Sequence, residues 1–282
     1  MIDLHTHSSA SDGSLSPAEL ITRARSIGLR AIALTDHDTT DGLREAEEAA
    51  AALAPGADGF LLLSGVELEI EVPHGEFHLL GLGLSRERAA LETRLLEVRG
   101  DRETRNAKIL DRMRDAGVDI EMGDLTRTAA GEVVTRAHFA RLMVEKGLVE
   151  SVDQAFKRWL GKGKPFYQPK ACIPLDEAID LIAASGGKAV IAHPLSLDLA
   201  GPAFSDFLKD CRARGIVGLE AYHSSFALGA CRRLEHLARR LGFFVTGGSD
   251  FHGDNIPSRR LGYSSGGLPV PDELLLPFLA AG

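Results

Sequence analysis

Short apolar runs rich in β-branched residues alternate along the chain with stretches whose apolar positions recur at helical spacing. The runs fall at residues 2–4, 31–34, 61–66, 77–82, 189–192, 217–221 and 243–246, which predicts seven strands. Such alternation is the pattern of βα units around a mostly parallel sheet. Ser16-Pro17-Ala18-Glu19 forms a capping box with proline at the first helical position. Leu20, Ile21, Ala24 and Ile27 follow as one apolar face, and Gly28 suits the stop. Asp41 is placed to cap a second helix that runs through the alanines at 49–52 to about Leu53. Later helices are predicted over residues 175–184, 203–214 and 228–241, with Gly186-Gly187 ending the first of them.

The alternation lapses between about Ser85 and Lys164, where helical spacing continues and strand signals are few. Thr135 and Ser151 are good helix starts there. The fold expected is α/β, with residues 1–84 and 165–282 as one domain and residues 85–164 as a mainly helical insertion serving as a substrate lid. Charge sharpens the division. The chain carries 32 basic and 40 acidic residues, net −8. Residues 86–164 hold 17 basic and 14 acidic, net +3, leaving −11 for the rest.

With 282 residues, 44% hydrophobic and 26% charged, the composition is that of a globular protein with a sizeable core. Its negative balance is a poor match for a protein that coats duplex DNA by charge. No apolar stretch approaches the ~20 residues of a membrane span, and the start, Met1-Ile2-Asp3-Leu4-His5, lacks the regions of a signal peptide. Cys172, Cys211 and Cys231 are odd in number and far apart, which suits free thiols in a reducing cytoplasm. The 12 phenylalanines are scattered, with no stacking platform for long single strands. Gly161-Lys162-Gly163-Lys164 lacks the spacing of a nucleotide-binding P-loop.

The chemistry lies where histidines and carboxylates meet strand ends. His5 and His7 follow the first run as His-x-His, and Asp12 lies in the next turn. Thr35-Asp36-His37-Asp38 ends the second run, Gly65-Val66-Glu67 the third, Ala192-His193-Pro194 the fifth and Gly248-Ser249-Asp250-Phe251-His252-Gly253 the seventh. Barrel strands present reactive groups at their C-terminal ends, so these residues are expected at one rim. His78 opens its run instead. A hairpin turning at residues 73–75, with His74 in the turn, would return His78 to the neighbourhood of Glu67. Imidazoles and carboxylates together suit Zn²⁺, Mn²⁺ or Fe²⁺, and nine candidates call for two or three ions. His223, in Glu220-Ala221-Tyr222-His223, also points towards the rim, as a substrate contact or a hydrogen-bonded structural residue. His236 reads as a helix-surface residue.

These motifs, taken in order, resemble the PHP (polymerase and histidinol phosphatase) superfamily. The resemblance spans the whole chain. It implies a distorted (β/α)7 barrel with a trinuclear metal centre. One metal would be held by His5, His7, Glu67 and Asp250. A second would be held by the bridging Glu67 with His78 and His193, and a third by Asp12, His37 and His252. Asp12 favours the branch acting on nucleoside 3′,5′-bisphosphates, some of whose members are 5′→3′ exoribonucleases on short RNA. Residues 135–141 and 161–167 resemble insertion motifs of that branch.

Divalent cations at such a rim would lower the pKa of a shared water, and the resulting metal-bound hydroxide would attack phosphorus. No separate protein base or general acid is assigned. Asp36 and Asp38 flank His37 and are placed either to orient it or to fill turn and cap roles. Arg136, His138 and Lys164 are candidate phosphate contacts in the insertion, with solvated or packing roles as the alternatives. The expected substrate is a small nucleotide or the 5′ end of a short single-stranded RNA. Metal-assisted hydrolysis of an amide or ester, and an inactive metal-binding scaffold, remain as competing readings.

Overall fold

The seven runs form seven strands in sequential order across one sheet: β1 (Ile2–Asp3), β2 (Ala31–Leu34), β3 (Leu61–Ile70), β4 (Phe77–Leu82), β5 (Lys188–Ile191), β6 (Gly218–His223) and β7 (Phe244–Gly248). The computed structural model describes residues 1–53, 59–73, 75–129, 134–169 and 172–279. β4 runs antiparallel to β3 and β5, and all other neighbours are parallel. The sheet then curls until its outer strands meet. The Leu4 N–H donates to Gly247 O at 3.2 Å, that of Asp250 to His5 O at 2.9 Å and that of His7 to Phe251 O at 2.9 Å. The result is the distorted seven-stranded α/β barrel that the family resemblance implies. Gly248 is required at this seam, because a Cβ there would lie 2.4 Å from that of His5.

Capping sets the first helices. Ser16 caps α1 (Pro17–Ser26) with the full box to Glu19, and Leu20, Ile21 and Ala24 are buried beneath it. Ile27 leaves this face: it is the C-cap residue and 40% exposed, and Gly28 at φ 79° turns the chain after it. α2 spans Leu43–Leu53, starting two residues beyond Asp41. β3 and the following hairpin arm form one continuous strand, and His74 lies outside the described residues.

The chain divides into two compact units, Met1–Arg94 with Ile173–Gly282, and Leu95–Cys172. The second comprises most of α3 (Ala89–Asp115), then α4 (Met122–Ala129), α5 (Arg136–Glu145), α6 (Val152–Ala155) and a π-helical turn at Phe156–Leu160. Thr135 and Ser151 stand at the two expected helix starts. Ile109, Met113, Leu125, Phe139 and Leu160 belong to this unit's own buried core. In the first unit α7 (Leu175–Ala184), α8 (Gly201–Ala213) and α9 (Leu228–Arg240) follow, with His236 exposed on α9. None of the three cysteines is in a disulfide. Among the described residues no helix is long and apolar enough to cross a membrane.

Candidate metal centre

Five strand ends and the start of β4 carry the nine candidate residues to one place. β1 delivers His5 and His7, and the turn after it delivers Asp12. His37 follows β2 and pairs with Glu67 as an isolated parallel bridge. His78 faces the same way because Glu69, two residues beyond Glu67, is its partner across the β3–β4 ladder. An antiparallel β4 thus brings its first residues, not its last, to the rim.

Glu67 is the hub. Its side chain is wholly buried. Oε2 lies 3.1 Å from His5 Nε2, 3.2 Å from His7 Nε2 and 3.2 Å from His37 Nδ1. Oε1 lies 2.9 Å from His78 Nδ1 and 2.9 Å from His193 Nε2. Asp250 Oδ1 lies 3.1 Å from His7 Nε2, and Asp12 Oδ1 lies 3.2 Å from His252 Nε2. Three overlapping sets have donor atoms all within 4.8 Å of one another: His5, His7, Glu67 and Asp250; His7, Asp12, His37 and His252; and His37, Glu67 and His78.

The donor set fits divalent cations. Both ring nitrogens of the buried His7 make no hydrogen bond, although two carboxylates lie beside one of them. A cation would satisfy all three at once. Burial alone would raise the pKa of Glu67, but His37, His5 and His78 hold it well below the usual carboxylate range. Burial opposes protonation of His7, yet the neighbouring Asp250 and Glu67 push its pKa up to about 10. His37, dominated by burial, falls to about 4. His193 and Asp250 have left-handed backbones, φ 24° and 54°, a strain concentrated at functional sites.

Around these candidate ligands stand two residues the sequence did not single out, Glu220 and Arg259, and others that it did. Glu220 is buried, 3.0 Å from His5 Nδ1. A bulge in β6 between Glu220 and Tyr222 breaks strict alternation. Glu220 and His223 therefore both face inwards, while the Tyr222 hydroxyl donates to Glu235 on α9. Glu220, His5 and His223 form a fourth convergent set. Arg259 places Nη1 2.6 Å from Asp250 Oδ2, a fixed cation beside the carboxylates. Asp36 accepts from the Ser8 N–H, the Ser8 hydroxyl and the Ser11 hydroxyl at 2.7, 2.7 and 2.6 Å. It shapes the loop leading to Asp12. Asp38 Oδ1 accepts from the Glu69 N–H.

His223 lies beside Asp250, with Nε2 3.1 Å from Oδ2 and Nδ1 2.7 Å from Ser225 Oγ. It lines a cavity of about 410 Å³ with His78, His193, Asp250 and the apolar Leu195 and Phe226, large enough for a small ligand. The remaining predicted contacts belong to the helical unit. Arg136 opens α5, donating to Leu160 O and lying 5.1 Å over the Tyr167 ring. The buried His138 accepts the Thr135 N–H at Nδ1, closing that cap. Lys164 is exposed on its turn. Arg102 and Arg105, one turn apart on α3, are buried near Arg136. Arg105 Nε has no hydrogen-bond partner among the described residues. Burial, then Arg136 and Arg102, lower its pKa to about 10. Nothing in the sequence distinguished these two arginines from solvated helix residues.

A PHP domain model matches residues 3–162. The chain is 34% identical to the 3′,5′-nucleoside bisphosphate phosphatase of Chromobacterium violaceum, over 95% of this chain and 93% of that protein. It is 37% identical to a 5′-3′ exoribonuclease of Haemophilus influenzae, over 89% of each. Among solved structures, a metal-dependent phosphoesterase from Bifidobacterium adolescentis superposes with a TM-score of 0.77 at 28% identity, covering all of this chain and 96% of the other. An amidohydrolase from Chromobacterium violaceum gives 0.79 at 32% identity, covering 99% and 96%. With strand-end histidines and carboxylates gathered on one barrel rim and this likeness along its length, the chain belongs to the PHP domain family.

Proposed function

We propose that this metal-dependent phosphoesterase removes the 3′-phosphate of nucleoside 3′,5′-bisphosphates, with the 5′ ends of short single-stranded RNA as further substrates. The carrying observation is Glu67, one buried carboxylate shared by five histidine rings at the rim. In this reading two or three Mn²⁺, Zn²⁺ or Fe²⁺ ions are held by His5, His7, Asp12, His37, Glu67, His78, His193, Asp250 and His252. Bound there, such ions supply an activated water and offset phosphoryl charge. Arg259 balances the carboxylates from one side, and His223 borders the substrate cavity. Leu195 and Phe226 provide the apolar surface a nucleoside needs.

Recognition of the second phosphate is assigned to the helical unit, through Arg136 supported by Arg102 and Arg105. His138 positions the start of α5, and Lys164 adds charge. Three arginines close together favour a doubly charged anion. The relatives named as a bisphosphate phosphatase and an exoribonuclease support the same substrate class. The test is kcat/KM in the presence of Mn²⁺ for adenosine 3′,5′-bisphosphate, 3′-AMP and 5′-AMP. Charge-assisted contacts contribute roughly 1.5–3 kcal/mol, so loss of one phosphate should lower kcat/KM at least about tenfold. Equal values for all three would overturn the bisphosphate reading.

A further inference from the structure

We propose that Glu220 is a positioning residue that fixes the tautomer of His5 and the backbone of His193, and so sets the affinity of the rim for its cations. The inference rests on the metal-centre reading and is independent of the substrate. Glu220 is fully buried inside the barrel. Oε1 lies 3.0 Å from His5 Nδ1, and Oε2 accepts the His193 N–H at 2.7 Å. One side chain on β6 therefore grips candidate ligands that follow β1 and β5. The bond to His193 holds a residue whose φ of 24° is strained for any side chain.

The direction of these bonds decides the chemistry. A carboxylate offers acceptors only, so His5 must carry hydrogen on Nδ1. Nε2 is then the nitrogen that faces Glu67 Oε2 at 3.1 Å and Asp250 Oδ1 at 3.5 Å, where a cation would replace its proton and be ligated by the freed lone pair. Carboxylates behind ligating histidines act in this way.

Glu220→Gln isolates the effect, because it keeps shape and removes one acceptor. The His193 N–H cannot become an acceptor, so the amide oxygen faces it and the amide N–H faces His5 Nδ1. His5 then carries its hydrogen on Nε2, which can no longer ligate. Affinity for Mn²⁺ and Zn²⁺, measured by chelator competition on the full chain, should fall about 10–100-fold. In Zn²⁺-loaded wild type, ¹⁵N imidazole spectra should show His5 protonated at Nδ1, assigned by comparison with His5→Gln. A purely structural role would move thermal stability and leave the tautomer unchanged. Wild-type affinity in Glu220→Gln, or an unprotonated Nδ1 in wild type, would overturn the proposal. The wild-type spectrum decides the matter even if the variant fails to fold.

Discussion

Asp3 and Ser249, 246 positions apart, are tied by two hydrogen bonds: the Ser249 N–H donates to Oδ1 at 2.9 Å and its hydroxyl to Oδ2 at 2.5 Å. The Gly262 N–H adds a third at 2.7 Å. These bonds lock the end of β1 to the loop after β7 that bears Asp250 and His252. Burial pushes the Asp3 carboxyl up to about 6 despite its donors. Asp3→Ala leaves those donors buried without an acceptor, and should cost about 3 kcal/mol of stability. Chemical unfolding of the metal-free chain checks this; a change below about 0.5 kcal/mol, the range of ordinary surface substitutions, would contradict it.

Metal content should respond differently at the hub and at its edge. Glu67 belongs to two convergent sets with His5, His7 and Asp250 or with His37 and His78. Glu67→Ala should disturb two ions, whereas His252→Ala, a member of one set only, should mainly empty one. Elemental analysis of the loaded variants distinguishes these outcomes, and one metal or fewer per fully active wild-type chain would exclude the arrangement.

Turnover should depend steeply on Asp250. Its carboxylate meets His7, His223 and Arg259. Asp250→Asn should lower kcat on the order of 10³-fold, the scale of losing a metal that supplies nucleophile and charge stabilisation. Near wild-type turnover with unchanged metal content would remove it from the ligand set.

Cation uptake should strengthen with pH. In the metal-free chain burial works against charge on His5 and His7, but neighbouring carboxylates prevail, raising His5 well above its usual value and His7 to about 10. The folded chain keeps protons that the unfolded chain releases above about pH 6.5. Their stabilising contribution is full below that pH and is lost as pH rises towards about 10. Entering cations must displace the same protons. Calorimetry in buffers of different ionisation enthalpy should show proton release on Mn²⁺ binding, and pH-independent affinity across this window would refute it.

Arg105 should trade stability for recognition. It is buried beside two like charges. Arg105→Met relieves that repulsion and should leave thermal stability equal or higher. The same change should lower kcat/KM for adenosine 3′,5′-bisphosphate about tenfold, with little effect on 3′-AMP. Equal losses on both substrates would remove Arg105 from second-phosphate recognition.

Local chain pattern was enough for the seven strands, the capping box at Ser16, the limits of α7 and the appearance of histidines and carboxylates at strand ends. Each depends on residues within a few positions, where periodicity and capping act. Strand limits moved where ladder pairing sets them: β1 ends at Asp3, and β3 runs on to Ile70, where it still pairs with Phe77. The relation of Glu67 to five rings, the approach of Gly248 to His5 and the seam between Asp3 and Ser249 depended on barrel closure and register. Strict alternation along 218–223 would place Glu220 with Tyr222; the bulge in β6 instead puts His223 on the inward face with Glu220, which meets His5, and leaves Tyr222 to meet Glu235. Arg102 and Arg105 look like ordinary helix charges until α5 brings Arg136 beside them. The sequence alone determined which chemical groups stand at the strand ends, because that is a short-range property. Which atoms of those groups face one another was decided only by the tertiary structure, because it depends on contacts between residues far apart in the chain.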